Sequence, residues 1–388
     1  MTSSPGRILT LVACLLSGCV FFHSAPEDGT GGAGGTATVG GTGGVGAAGG
    51  EGGSGASSTG YCDGLTSCAG DPNSPCVAFC EEGAAGPVTA LGDGLAVVVG
   101  SSVKYLTTSR AFDLDLSAGL IPGARAFIDA TAAGHVCVSG VGGRMWTCSE
   151  ALECTEQVPP PGFSTEWAGC AIRSDGRFFA LDAGSAGANP ELFFTTSADE
   201  MVTPEPGSPP RSGIATELDR VGDLLRWTGR DNALRTMWEK PGPGAPSSVP
   251  LNDSLSAITS LSAGAGGVFY RATFEGTQEV LAYVAEGMDA TPQTFPSPLA
   301  NAAGMGRVAT SGGRSYMNAV GSQGAHEELY ACTTSPNLSC DVVTLPSLPG
   351  AVDGRVFGLD ASVTHVFITR QVVVDGLTYT VVLRSPVP

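Results

Sequence analysis

The chain has 388 residues, including 57 glycines and 26 prolines, and its acidic residues outnumber the basic ones by 37 to 19. The net charge of −18 repels polyanions, which argues against nucleic acid or anionic lipid headgroups as partners. Such a charge is typical of proteins that stay soluble outside the cytoplasm. The length alone predicts two or three domains.

The N-terminus has the pattern of an export signal. Arg7 supplies a positive charge, and the apolar run that follows, residues 8–16, has nine residues. This is well short of the roughly 20 residues needed to span a bilayer. The next residues, "LSGC" at 16–19, resemble the lipobox of bacterial lipoproteins. The resemblance implies that residues 1–18 are a signal peptide and that Cys19 becomes the lipidated first residue.

Lipidation at Cys19 implies a stable membrane anchor. Each buried methylene adds about 0.8 kcal/mol to the free energy of membrane binding, so two or three acyl chains hold a protein in the membrane effectively permanently. Val20 stands where an Asp retains many lipoproteins in the inner membrane. We therefore expect a cell-envelope protein anchored in the outer membrane by lipid alone, facing the periplasm or the cell surface. Cys14 in "LVAC" fits the same pattern with a shorter apolar run, and an ordinary cleaved signal is the other alternative.

Residues 19–60 form the predicted anchor and tether. Half of residues 29–60 are glycine and none is aromatic, so this stretch cannot bury enough apolar area to fold and is predicted to be disordered. Its r.m.s. span would be roughly 30 Å. Such tethers resemble those of lipoproteins from myxobacteria. The GxGxxG match at 44–49 lacks the strand and helix that a dinucleotide site needs.

Ten cysteines remain after Cys14 and Cys19 are set aside, and an even number in an exported chain predicts disulfides. The segment 61–82 contains four of them, and the sequence leaves their three possible pairings open. They are Cys62, Cys68, Cys76 and Cys80. A metal knuckle is the alternative, but the spacing lacks the paired CxxC of zinc sites.

Residues 83–388 predict an all-β body, because short runs of β-branched and aromatic residues alternate with glycine- and proline-containing turns. One phrase, interpreted as the third strand of a unit, recurs seven times at spacings of roughly 40–50 residues. The copies are VKYLTTS (103–109), RMWTCS (144–149), ELFFTTS (191–197), LRTMWEK (234–240), EVLAYVAE (279–286), ELYACTT (328–334) and LTYTVVLRS (377–385).

This period resembles that of a seven-bladed β-propeller, in which four-stranded sheets pack around an axis as one domain. The last unit stops after its third strand, and an unpaired edge would favour aggregation. We expect residues 74–82 to supply the missing strand by strand-exchange ring closure, with 77–79 lying beside 379–383. A tandem of β-sandwiches is the alternative, which the regular period disfavours.

The repeat also predicts cysteine pairs. Cys148 with Cys154, and Cys332 with Cys340, occupy the same place in two units, where they would join the third and fourth strands. In the chain-entropy model, a disulfide that closes such a small loop stabilises the folded state by about 2–3 kcal/mol. Cys137 in the second unit could reach Cys170 in the third.

Ligands of propellers usually bind on the face with the second-to-third-strand loops. The ligand-binding candidates there are Trp167, Arg211, Asp231, His326 and Asp375, although ordinary loop polarity would explain most of such a set. His135 and His365 are expected on the opposite face. Asp113 and Asp115 share one face of a strand but lack the further oxygen ligands of a calcium loop.

No catalytic constellation is recognisable, and we predict no cofactor and no metal. The favoured function is a non-catalytic, surface-tethered module that binds or scaffolds a protein or glycan, with a monomeric body. The alternative is an extracellular propeller hydrolase or lyase acting on a polymer.

Overall fold

β-Strands dominate the structure, a computed structural model. It describes residues 60–68, 73–116, 127–139, 145–151, 153–157, 167–182, 192–195, 203–204, 218–221, 223–231, 234–241, 247–250, 255–264, 267–274, 278–285, 293–294, 304–320, 327–333 and 339–387. These residues all belong to one unit, Ala48–Pro388. Among them the helical element is a single 3₁₀ turn, Cys62–Gly64, and no helix there is long and apolar enough to cross a membrane.

The described strands form seven antiparallel sheets of four strands each. Strand β1 (Cys76–Glu82) belongs to the seventh sheet, described last. Sheet one contains β2 (Ala85–Leu91), β3 (Gly94–Val99), β4 (Ser102–Leu106) and β5 (Ala111–Asp115); sheet two contains β6 (Phe127–Ala130), β7 (Val136–Ser139), β8 (Met145–Cys148) and β9 (Cys154–Gln157). Sheet three contains β10 (Trp167–Ile172), β11 (Phe178–Asp182), β12 (Leu192–Thr195) and β13 (Thr203–Pro204).

Sheet four contains β14 (Leu218–Val221), β15 (Leu224–Asp231), β16 (Leu234–Pro241) and β17 (Ser247–Pro250); sheet five contains β18 (Leu255–Gly264), β19 (Gly267–Phe274), β20 (Gln278–Ala285) and β21 (Gln293–Thr294). Sheet six contains β22 (Gly304–Ser311), β23 (Arg314–Val320), β24 (Glu327–Thr333) and β25 (Ser339–Val343). Sheet seven contains β26 (Ala351–Ala361), β27 (His365–Val374), β28 (Leu377–Pro386) and β1.

The sheets are arranged in a ring. The first strands contact one another in the cyclic order β2, β6, β10, β14, β18, β22, β26 and back to β2. Each sheet thus packs between two neighbours, which is the architecture of a β-propeller. The seven repeated phrases of the sequence supply the third strands, β4, β8, β12, β16, β20, β24 and β28.

Strand exchange closes the ring. Strand β1 pairs with β28, with Val77 opposite Leu383 and Phe79 opposite Val382, so the sheet order is β1-β28-β27-β26. The predicted ring closure is therefore confirmed. A salt bridge also connects the closing strand β1 to sheet one, because the Lys104 ammonium group lies 2.7 Å from Glu81 of β1.

The hydrophobic core lies between neighbouring sheets. Strand β3, whose sequence is GLAVVV, is buried along almost its whole length because each of its faces meets another sheet. Val98 and Val103 of sheet one pack with Val138 and Trp146 of sheet two. A strand covered on both faces explains the continuous apolar runs that the sequence shows.

The cysteine-rich segment covers the outer edge of sheet seven. Disulfides join Cys62 to Cys80 and Cys68 to Cys76, which resolves the pairing left open by the sequence. Ser67 forms a parallel bridge with Val77. Because this segment pairs with the far side of β1, it protects an edge that would otherwise be open to other chains.

The remaining disulfides follow the repeat. Cys148–Cys154 and Cys332–Cys340 each join strands three and four of one sheet, and both pairs stand directly opposite in the strand register. Cys137–Cys170 joins β7 of sheet two to β10 of sheet three. The first two bonds close hairpins, whereas the third connects neighbouring sheets.

Candidate functional site

The two ends of the ring carry different connections. We call the end with the first-to-second-strand turns, which includes His135 and Thr364, the turn end. We call the end with the second-to-third-strand turns, which includes Gly100 and Asp375, the loop end. The sequence predicted the ligand at the loop end.

The structure brings part of the predicted ligand set to the loop end. Asp375 is exposed in the turn between β27 and β28 and has a positive φ of 52°. Asp231 ends β15, at the loop end of sheet four, although its side chain is outside the described set. Arg211 and His326 lie outside the described residues.

Trp167 is placed inside sheet three and not in an exposed loop. It begins β10, is only 4% exposed and packs with Met145 and Phe178. Its indole N–H donates a hydrogen bond to the Gln157 carbonyl oxygen at 3.3 Å. Burial therefore assigns this tryptophan to the contact between sheets two and three.

The inner strands carry two carboxylates that join neighbouring sheets. Asp129 of β6 accepts a hydrogen bond from the Ile172 N–H of β10 at 2.8 Å. In the same way, Asp360 of β26 accepts one from the Ala90 N–H of β2 at 2.7 Å. Each aspartate therefore pairs with a backbone amide of the next sheet around the ring.

A guanidinium group also binds the first of these carboxylates, Asp129. Arg220 of β14 donates to both carboxylate oxygens of Asp129, through Nε at 2.8 Å and Nη2 at 2.9 Å. The Asp129 and Arg220 side chains are 13% and 27% exposed. Planar bidentate pairs of this kind are among the stronger ionic contacts in proteins, so one carboxylate links sheets two, three and four.

Asp360 is surrounded by hydrogen-bond donors and is partly buried. Its carboxylate accepts hydrogen bonds from the Thr89 hydroxyl at 3.0 Å and the Ala361 N–H at 2.8 Å, in addition to Ala90. Burial raises the pKa of Asp360 above its ordinary value, and the charge of Asp129 acts in the same direction. The three donors oppose this shift because they favour the charged form.

A second set of hydrogen bonds connects neighbouring sheets at the turn end. Asp223, in the turn before β15, accepts hydrogen bonds from the Ser174 N–H at 3.0 Å and hydroxyl at 2.8 Å. These bonds hold the pKa of Asp223 below its ordinary value. The corresponding Asp93 of sheet one accepts a bond from the Thr364 hydroxyl of sheet seven at 2.9 Å.

The two predicted turn-end histidines take part in this network. His365 Nδ1 lies 2.9 Å from the Thr364 hydroxyl and 3.4 Å from an Asp93 oxygen. His135 Nε2 lies 3.3 Å from a Glu150 oxygen, and its ring meets Phe178 of the next sheet edge-on. Both imidazoles therefore lie at contacts between sheets.

Among the described residues, no three His, Cys, Asp or Glu side chains are gathered as a metal site would require. Of the acidic pair considered for calcium, Asp113 lies 2.8 Å from the Lys104 ammonium group. That ammonium group also contacts Glu81, so the Asp113 carboxylate balances a cation of the protein itself.

Sequence reasoning missed Asp129, Asp360 and Arg220. A signal for the two aspartates does exist, because "IDAT" at 128–131 and "LDAS" at 359–362 end the first strands of sheets two and seven. The match becomes visible only once the first strands are aligned. No comparable pattern marks Arg220.

Comparison with known proteins agrees with this architecture. The chain is similar to the β-propeller domain of the Trilobed protease from Pyrococcus furiosus, an open velcro topology, with a TM-score of 0.51 and 9% identity over 75% of this chain and 92% of that one. It is also similar to YCF48 in a structure with a D1 peptide, with a TM-score of 0.51 and 11% identity over 80% of this chain and 97% of that one. These likenesses show a β-propeller fold. No protein-family model and no curated protein matched the chain.

Proposed function

We propose that the mature protein is a lipidated cell-envelope protein, anchored in the outer membrane through Cys19, whose propeller binds or scaffolds a protein or glycan without catalysis. The lipobox-like residues 16–19 and the glycine-rich tether support the anchor. The tether would separate the body from the membrane by roughly 30 Å and leave it free to rotate.

The observation that carries the non-catalytic proposal is the use made of the inner-strand carboxylates. A general acid or base must reach the proton that it transfers. Asp129 and Asp360 instead point their oxygens at backbone amides, a hydroxyl and a guanidinium group of neighbouring sheets. These groups hold the frame together, which suits a rigid binding module better than a hydrolase.

Rigidity itself favours binding. Five disulfides, the exchanged strand β1 and the ties between sheets keep the ends of the strands in fixed positions. A preorganised surface loses less conformational entropy when a partner docks. The D1 peptide in the YCF48 structure is a precedent for a peptide on a protein of this fold.

The anchor is tested by metabolic labelling with a radioactive fatty acid. The natural chain and Cys14→Ser should incorporate label and sediment with outer membranes, whereas Cys19→Ser should remain unlabelled. Cys14→Ser is the matched control, because it alters a second cysteine of the same signal region. Label that survives Cys19→Ser would refute the anchor.

The binding role is tested with the full chain in detergent on arrays of defined peptides and glycans. The proposal predicts saturable binding to one class of ligand with no change in the ligand's mass after long incubation. Time-dependent cleavage of a bound polymer, abolished by heat denaturation of the protein, would instead establish the hydrolase or lyase alternative.

A further inference from the structure

The hairpin of β27 and β28 ends in exposed apolar side chains. Five large hydrophobic side chains are exposed in the part of the chain that the structure describes, and three of them lie at the loop end of sheet seven. They are Val352, Val373 and Leu377, with exposed fractions of 40%, 38% and 41%. Scattered exposed hydrophobics are ordinary, but a cluster indicates an interaction surface.

The hairpin is long for its position in the ring. Strand β27 has ten residues, whereas β3, the corresponding second strand of sheet one, has six. Four extra residues add about 13 Å of strand. Val373 faces one side of the hairpin and Leu377 the other, since Val373 pairs with Thr378 and Val374 with Leu377. Both sides of the tip therefore carry an exposed apolar side chain.

The strand register places two of the three exposed side chains, Val352 and Leu377, on the same face of this tip. Side chains directly opposite in register point to the same side, so Val352, Val372, Tyr379 and Glu82 form one row across the sheet. This row is about 14 Å wide for four strands. Val374 and Leu377 form the next row towards the tip. The middle of the row is buried, because Tyr61 packs on Tyr379 at 4.9 Å between ring centroids.

Acidic side chains surround the apolar ones. Glu82 lies at one end of the row, Asp375 lies in the turn at the tip, and both are exposed. Asp63 is exposed in the 3₁₀ turn that follows Tyr61. The segments that build this end, residues 61–68, 80–83, 344–352 and 371–380, contain no lysine, arginine or histidine. The charge carried by these segments is therefore negative, although Lys104 of sheet one pairs with Glu81.

We propose that this surface, formed by Val352, Val374, Leu377, Glu82 and Asp375 and here called the hairpin-tip surface, docks a polypeptide segment that carries apolar side chains next to basic ones. The inference deepens the proposed binding role, on which it rests. Apolar contacts supply the binding energy at the centre of such interfaces, and complementary charge selects the partner and speeds association. The negative rim disfavours an anionic membrane as the occupant.

The test measures binding of the full chain in detergent to three short synthetic peptides. The first has a Leu-Phe-Leu centre flanked by lysines, the second has the same centre flanked by glutamates, and the third has a serine centre flanked by lysines. We expect the first to bind at least about tenfold more tightly than either other peptide, with an affinity that falls as salt screens the charges.

Variants of the protein locate the binding surface. Leu377→Asp and Val352→Asp should each weaken binding of the first peptide by about tenfold or more, and Glu82→Gln should weaken it and flatten its salt dependence. Val363→Asp is the matched control, because Val363 is 75% exposed at the turn end of the same sheet. It should leave the affinity unchanged. Unaltered thermal melting would confirm that each variant is folded.

Several outcomes would overturn the inference. Equal binding of the lysine- and glutamate-flanked peptides, no binding of any peptide, or equal loss in Val363→Asp and Leu377→Asp would each refute it. Leu377-dependent flotation with neutral vesicles would assign the surface to a membrane, and Leu377-dependent dimerisation would assign it to a second copy. A chain that binds glycans on the array but none of these peptides would keep the proposed function while refuting this surface.

Discussion

Replacing Asp129 with alanine should destabilise the ring more than most single substitutions. Asp129 receives three hydrogen bonds of 2.8–2.9 Å, one from the Ile172 N–H and two from the Arg220 guanidinium group. Alanine removes both acceptor oxygens and, with them, all three hydrogen bonds. The Ile172 amide loses this acceptor, and the partly buried Arg220 guanidinium group loses its two bonds to Asp129. Removing one partner from such polar groups is costly.

The size of the effect follows from the burial of the pair. Removing one partner of a fully buried ion pair costs about 3–5 kcal/mol. The Asp129 and Arg220 side chains are 13% and 27% exposed, so water can compensate in part and we expect about 3 kcal/mol, the lower end of that range. Because unfolding entropy scales with length, a body of this size should lose roughly 4 °C in melting temperature.

The assay is equilibrium unfolding in guanidinium chloride with the disulfides intact, on the natural chain, Asp129→Ala, Arg220→Met and the double variant. Asp129→Asn is the matched control, since it keeps an acceptor for Ile172 and should cost less. We expect a coupling energy of about 1–2 kcal/mol between Asp129 and Arg220. Additive single effects, or a loss below about 0.5 kcal/mol for Asp129→Ala, would show that these contacts do not hold the sheets together.

Three further predictions concern other contacts between strands and sheets. Burial raises the pKa of Asp360 above its ordinary value of 3.8, so protonation favours the folded state and the free energy of unfolding should fall as pH rises from about that value through the folded pKa; Asp360→Asn should flatten this dependence, and parallel pH profiles would contradict the reasoning. Replacing Cys332 and Cys340 together with alanine opens a loop of sequence separation 8 and should cost about 2.5 kcal/mol in denaturant unfolding, whereas an unchanged midpoint would mean that the bond is dispensable. A Cβ at Gly358 would lie 2.5 Å from the Val88 backbone nitrogen, while one at Gly64 would meet nothing within 4 Å, so Gly358→Ala should lower stability by about 1–3 kcal/mol and Gly64→Ala should change little; equal melting temperatures would refute the close approach of β26 to sheet one.

Much of the architecture was predictable because it is repeated locally. A third strand recurs along the chain with the same alternation of apolar and polar residues, so its period predicts stacked sheets. The missing fourth strand of the last unit, together with an unassigned β-capable stretch at 74–82, predicted the pairing of β1 with β28. Cys148–Cys154 and Cys332–Cys340 followed from the same repeat, since both pairs lie within single hairpins.

The contacts between sheets could not be predicted in this way. Asp129 and Ile172 are 43 residues apart, and Asp360 and Ala90 are 270 apart, so their pairing depends on how far each sheet rotates about the common axis. The pairings Cys62–Cys80 and Cys68–Cys76 likewise depend on how the segment before β1 folds over sheet seven.

The sequence by itself determined the order and type of the strands, because hydrophobic periodicity and turn residues act over a few positions. Only the tertiary structure decided which surfaces are free. It buried Trp167 between two sheets and left Leu377 at an exposed hairpin tip, although both are apolar residues at the ends of strands. The difference arises from the unequal lengths of neighbouring strands and the packing of one sheet against the next, neither of which a local pattern records.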